Sequence, residues 1–133
     1  MDYYANAQRN EQAAITLLKN FHYQQSISLA CLAVELYLKS KLHLVNHERD
    51  LLFSHDVVNI YKALTSRYNP KKDMLPMIAM CRKYFNESRY PFSSDISAYT
   101  EEFTKEFIEH VSDIRDFIDN DCIATIDDLK NRY

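Results

Sequence analysis

The sequence predicts an all-α fold, an antiparallel up-and-down bundle of four to six helices, and two observations carry that reading. The 133 residues contain no glycine, where average usage of about 7% predicts roughly nine. Apolar residues also recur at intervals of three and four, the period of an amphipathic helix. The missing glycine excludes chemistry too. Walker-type phosphate loops and dinucleotide fingerprints need glycine where backbone approaches phosphate, and primed hairpin turns favour it at positive φ. With 47% hydrophobic and 26% charged residues and a formal charge of −3, residues 1–133 read as a single domain with its own core.

The first helix is expected from about Tyr3 to Asn20, with Ala14, Leu17, Leu18 and Phe21 on one face. The second follows almost directly, from Tyr23 to Val45. There Ile27, Ala30, Cys31, Val34 and Leu38 repeat at three and four, and Leu29, Leu32 and Leu36 widen the apolar surface. A helix apolar on most sides belongs at the centre of a bundle. Its polar stripe is narrow (Gln24, Ser28, Glu35 and Lys39), and Glu35 precedes Lys39 in the favourable i,i+4 order. Residues 46–52 read as a connection. Ser54 is the expected N-cap of a third helix over His55–Tyr68, with Val57, Ile60, Tyr61 and Leu64 inward and Asn69-Pro70 as its stop.

Asp73 is placed to cap a fourth helix that ends near Phe85, because Pro76 then falls in the first turn, where its missing N–H costs little. Residues 86–99, with Pro91 and four serines, read as a surface loop. Thr100 then caps a fifth helix, with Glu101 and Glu102 at the positive end of its dipole and Phe103, Phe107, Val111, Ile114 and Ile118 on its buried face. A short sixth helix is expected over Ile123–Asn131.

Cys31, Cys81 and Cys122 are odd in number, widely spaced and set among apolar neighbours. They read as reduced, mostly buried thiols of a cytoplasmic protein. No apolar stretch is long enough to span a bilayer, and no N-terminal segment resembles a signal peptide. Charge is uneven along the chain. Residues 1–94 carry 12 basic and 8 acidic side chains, whereas residues 95–133 carry 4 and 11. Lys62, Arg67, Lys71, Lys72, Arg82, Lys83 and Arg89 concentrate the positive charge. Such a run either attracts nucleotide or RNA phosphate or forms a solvated helix surface.

The second helix reads Ala30-Cys31-Leu32-Ala33-Val34-Glu35-Leu36-Tyr37-Leu38-Lys39-Ser40-Lys41-Leu42, His55-Asp56 opens the next long helix, and a later loop carries Arg89-Tyr90-Pro91. In that order these segments resemble the HEPN domain family (higher eukaryotes and prokaryotes nucleotide-binding) across nearly the whole chain. The resemblance implies a four- to five-helix bundle, frequently dimeric. Some members are ribonucleases; others are partners of small nucleotidyltransferases or non-catalytic nucleotide- or RNA-binding modules. The ribonucleases pair an arginine with a histidine after it, four to six residues lying between them, usually on the last long helix.

This chain departs from that pair. Arg115 lies on the last long helix, but Asn120, Asp121 and Cys122 stand where the histidine belongs, and His110 has no arginine at the right distance upstream. Arg49 and His55 have five residues between them, but they fall in the connection after the second helix, and chance spacing is the better account of them. The acidic residue common after the loop proline is Phe92 here. His43, His47 and Glu48 have ligand-like spacing, yet position 44 is leucine, and polar residues at a helix end explain them better than a metal.

The expected reading is therefore a HEPN-like nucleotide- or partner-binding module, homodimeric and without cofactor. Arg89 and Tyr90 are the expected ligand contacts, supported electrostatically by Arg82 and Lys83. Glu35, Lys39 and Pro91 orient them. Arginine reads phosphate, tyrosine stacks on a base, and proline stiffens the loop. In the structural alternative, Arg89 bridges to Glu35 and Tyr90 fills the bundle end. A small nucleotidyltransferase is the expected protein partner. A toxin-like, metal-independent ribonuclease using Arg49 and His55 and a purely structural oligomerisation domain are the competing functions.

Overall fold

The computed structural model describes residues 2–45, 49–88 and 99–122, apart from the side chains of residues 44, 45, 49, 50 and 86. Among these residues the chain is helical throughout, without strands. Helix α1 spans Tyr3–Lys19, α2 Tyr23–Val45, α3 Arg49–Leu52, α4 Val57–Thr65, α5 Leu75–Glu87 and α6 Glu101–Asp116. A π-helical turn, Phe117–Asp121, continues α6. The expected sixth helix over 123–131 lies outside the described residues.

Helix α2 is the hub, touching every other helix of the fold. Its bounds are those the apolar pattern predicts, and Ile27, Ala30, Val34, Leu38 and Leu42 are fully buried. Helices α1 and α2 form an antiparallel hairpin. Ser26 Oγ donates to the Ala14 carbonyl at 2.6 Å near the turn, and the rings of Tyr3 and His43 meet at the far end. Tyr37, Phe107 and Phe117 supply the largest core rings.

The turn between α1 and α2 corrects the expected burial of Phe21. The Phe21 N–H reaches the Leu18 carbonyl at 3.1 Å and the His22 N–H reaches the Leu17 carbonyl at 2.8 Å. This is a Schellman ending, whose reversing residue takes the left-handed conformation usually filled by glycine. Here that residue is Phe21, at φ 65° and 73% exposed. The apolar spacing runs one residue past the point where the chain turns away from the core.

Other ends differ from expectation by one to three residues. Residues 49–52 form a helical turn within the expected connection. The N-cap of α4 is Asp56, not Ser54: its carboxylate accepts from the Val58 and Asn59 amides, while Ser54 Oγ accepts from the Asp56 amide. Asp and Ser cap equally well, so the tie falls to the residue nearer the helix. Helix α4 stops at Thr65 and α5 runs on to Glu87. The cap position of α5 is Met74, although the Asp73 carboxylate accepts from the Leu75 amide and Pro76 sits in the first turn, as expected. Thr100 caps α6 through the Phe103 amide.

Candidate functional site

Gln24, Ser28, Leu32, Glu35 and Lys39 lie along one stripe of α2. This polar stripe interrupts an otherwise apolar helix, and within it Glu35 is 2% and Lys39 4% exposed. A buried carboxylate must be paired. Lys39 Nζ donates to Glu35 Oε2 at 3.1 Å, and His55 Nδ1 lies 3.1 Å from Oε1 and 3.3 Å from Oε2. The arginine weighed as the partner of Glu35, Arg89, lies outside the described residues, as do Tyr90 and Pro91.

His55 is anchored but accessible. Its side chain is 70% exposed, while its ring stacks on Phe85 of α5 with centroids 6.0 Å apart and planes inclined by 17°. A hydrogen bond at Nδ1 and a stacking partner together fix the ring plane and turn Nε2 away from Glu35. Arg82, one turn before Phe85, places Nη1 3.6 Å from the carboxylate of Asp56, the residue after His55. Lys83 Nζ rests 5.3 Å from the centre of the Tyr84 ring. Gln24 Nε2 donates to the Ser88 carbonyl at 3.1 Å, so α5 ends against the same α2 stripe. Between α2, His55 and α5 lies a half-open cavity of about 240 Å³ lined by Ser28, Leu29, Leu32, His55 and Phe85.

A second charged cluster holds α1, α2 and α6 together, and sequence reasoning missed it. Glu11 is 4% exposed. Arg115 Nη1 donates to both its oxygens at 2.8 and 2.9 Å, Arg115 Nη2 donates to Ser112 Oγ at 3.1 Å, and the Tyr37 hydroxyl donates to Glu11 Oε1 at 2.5 Å. Burial and the Glu11 carboxylate hold the Tyr37 phenol well above its ordinary range. Beside it, burial and the hydrogen bond to Asp119 at 2.8 Å push the Tyr4 phenol up to about 12. Burial opposes the Arg115 charge, but Glu11 and Tyr37 outweigh that and raise its pKa. The signal for Glu11 was present: with Ala7 and Ala14 it forms an i, i+4, i+7 series on the buried face of α1.

Much of the cationic middle faces acid from the end of the chain. Lys72 Nζ meets Asp113 at 2.8 Å, Lys71 Nζ approaches Asp121 at 3.9 Å, and the Lys71 amide donates to the Asp121 carboxylate at 3.3 Å. All three cysteines are buried thiols, Cys122 pushed up to about 12 by burial. Among the described residues no group of three histidine, cysteine or acidic side chains is placed to hold a metal. His47 and Glu48 lie outside them, and so does the Arg49 side chain. No helix among the described residues is long and apolar enough to cross a membrane.

A central helix in contact with five others, with buried charged pairs at its rim, defines a small helical-bundle module. The HEPN domain family model matches residues 1–121, so the chain belongs to the HEPN domain family. No curated protein and no solved structure matches it.

Proposed function

We propose that this HEPN domain is a non-catalytic module that binds a nucleotide at the α2–α5 edge of the bundle. The observation that carries the reading is the commitment of Arg115. A nuclease arginine on the last long helix must be available to stabilise phosphate charge beside a histidine. Here both oxygens of a buried Glu11 hold it instead, and no histidine follows it in the sequence. Arg89 and Tyr90 are the primary contacts of the reading, presented by Pro91 and supported by Arg82 and Lys83. Glu35 and Lys39 act from below by fixing His55. A small nucleotidyltransferase is the protein partner this reading favours, and a homodimer is the assembly.

Because Glu35 already has two partners, Arg89→Ala is expected to leave thermal unfolding nearly unchanged while weakening nucleotide binding in a calorimetric titration. Unaltered binding removes Arg89 from the reading, and a large loss of stability restores the structural alternative. Cleavage of single-stranded RNA by pure protein, abolished in His55→Ala, sinks the non-catalytic assignment. Light scattering that gives a monomer mass across micromolar concentrations removes the homodimer.

A further inference from the structure

We infer that the cavity beside His55 is the base-binding slot of a nucleoside monophosphate, with His55, which lines it, and Arg82, which faces the neighbouring Asp56, as phosphate contacts. The inference rests on the nucleotide reading above and locates the ligand within it. Three observations converge on this place. The first is size and lining. About 240 Å³ between Leu29, Leu32 and the Phe85 ring is below the roughly 300–1,000 Å³ of sites that enclose a whole ligand. It suits one flat heteroaromatic ring, so the sugar and phosphate must lie outside.

The second observation is what stands at the opening. His55 is 70% exposed, yet it is held by a buried carboxylate and stacked on Phe85. Its ring therefore presents Nε2 with little rotamer freedom left to lose on binding. Arg82 is 54% exposed, and its link to Asp56, at 3.6 Å, is longer than a hydrogen bond. That geometry leaves the guanidinium able to turn toward an anion held by His55.

The third observation is the buried Glu35–Lys39 pair. An ion pair out of water is a poor device for stability alone, because desolvation offsets most of the attraction. It has a clear use as the anchor of an exposed histidine. Glu35 sets the ring, and Lys39 keeps the carboxylate from drawing the site strongly negative. An apolar protein side chain inserting into the same slot would make no use of His55 Nε2 or of the Arg82 guanidinium near Asp56, so a phosphorylated small molecule is the better occupant.

The test is a calorimetric titration of the intact chain with AMP, UMP, adenosine and ribose 5-phosphate, repeated on His55→Ala, Arg82→Ala and Leu32→Trp. The indole of Leu32→Trp should fill the slot, and the two exposed-site variants keep the test decisive if that protein does not fold. The expected result is binding of the monophosphates, weakened about tenfold or more in His55→Ala and Arg82→Ala, the effect of one charge-assisted hydrogen bond. Leu32→Trp should abolish it, and ribose 5-phosphate should bind far more weakly than AMP. Monophosphate binding unchanged in all three variants overturns the slot but leaves the nucleotide reading standing. Adenosine bound as tightly as AMP also overturns the inference, because it removes phosphate from the site. No binding of any nucleotide overturns the reading on which the inference rests.

Discussion

Replacing Phe21 by glycine should make this protein more stable, which is unusual for the loss of a large aromatic residue. Phe21 sits at φ 65°, a conformation in which Cβ crowds the following carbonyl at a cost of about 1–2 kcal/mol for an L-residue. The ring offers little in return, since the residue is 73% exposed. Glycine removes the crowding but enlarges the freedom of the unfolded chain, which opposes it by about 0.4–1 kcal/mol. The difference is a net gain of about 0.5–1 kcal/mol, which corresponds to a rise in Tm of about 2–5 °C for a chain of this size. Urea unfolding followed by circular dichroism would measure it, with Phe21→Ala as the control. Alanine keeps Cβ and therefore the crowding, so it should stay within about 0.5 kcal/mol of the parent. A glycine variant no more stable than the alanine variant would refute the reasoning, since the relief of backbone crowding has to exceed glycine's added freedom in the unfolded chain for the gain to exist.

Arg115→Ala should destabilise by about 3 kcal/mol in the same assay, near the lower end for a broken buried pair because a third of the arginine side chain is in water. Glu11→Leu in that background should recover part of the loss by removing the stranded carboxylate, and a double variant no better than the single one would contradict the pairing. Alkaline pH supplies another test. Tyr4 and Tyr37 hold their protons more tightly folded than unfolded, so above about pH 10, the ordinary phenol value, the unfolded chain releases protons first and stability should fall as pH rises. Tyr37→Phe should flatten that fall, and equal slopes in the two proteins would remove Tyr37 from the account.

The helices that bury a continuous stripe were legible because periodicity reports burial directly. Helix α2 shows this at both ends, and the inward faces of α4 and α6 match Val57, Ile60, Leu64, Phe107, Val111 and Ile114. What was not legible depends on neighbours distant in sequence. A glutamate and a lysine four apart do not reveal by themselves that His55, just ahead of α4, closes over them. Nothing in residues 24–39 announces that covering. Periodicity also carries no mark of where a helix reverses, so Phe21 reads as core. The π-helical turn at 117–121 escapes for a related reason: Phe117 and Ile118 remain buried, and the apolar spacing fits either winding. In the sequence, the histidine at the candidate site stands out as the opening of a helix and for its distance from Arg49. Its use, as a ring held by Glu35 and Phe85, comes from contacts across 20 and 30 positions of chain.

The charge pattern changes meaning once the chain is folded, and that bears on what the protein can recognise. In sequence, a positive first two-thirds and an acidic last third look like a surface field able to gather polyanions. In the structure, Lys72 faces Asp113, Lys71 faces Asp121, Arg82 faces Asp56, and Arg115 is bound to Glu11. These pairings shorten the reach of the field, because paired opposite charges a few ångströms apart cancel beyond roughly a Debye length of 8–10 Å. A protein arranged this way is poorly suited to holding a long RNA by many phosphates at once. It is better suited to a ligand recognised by a few fixed contacts in one place. That favours a mononucleotide at the α2–α5 edge over a polynucleotide on the cationic face. Salt should separate the two, since a single phosphate contact loses affinity with a slope near one in log salt, whereas a multi-phosphate surface loses it several times more steeply.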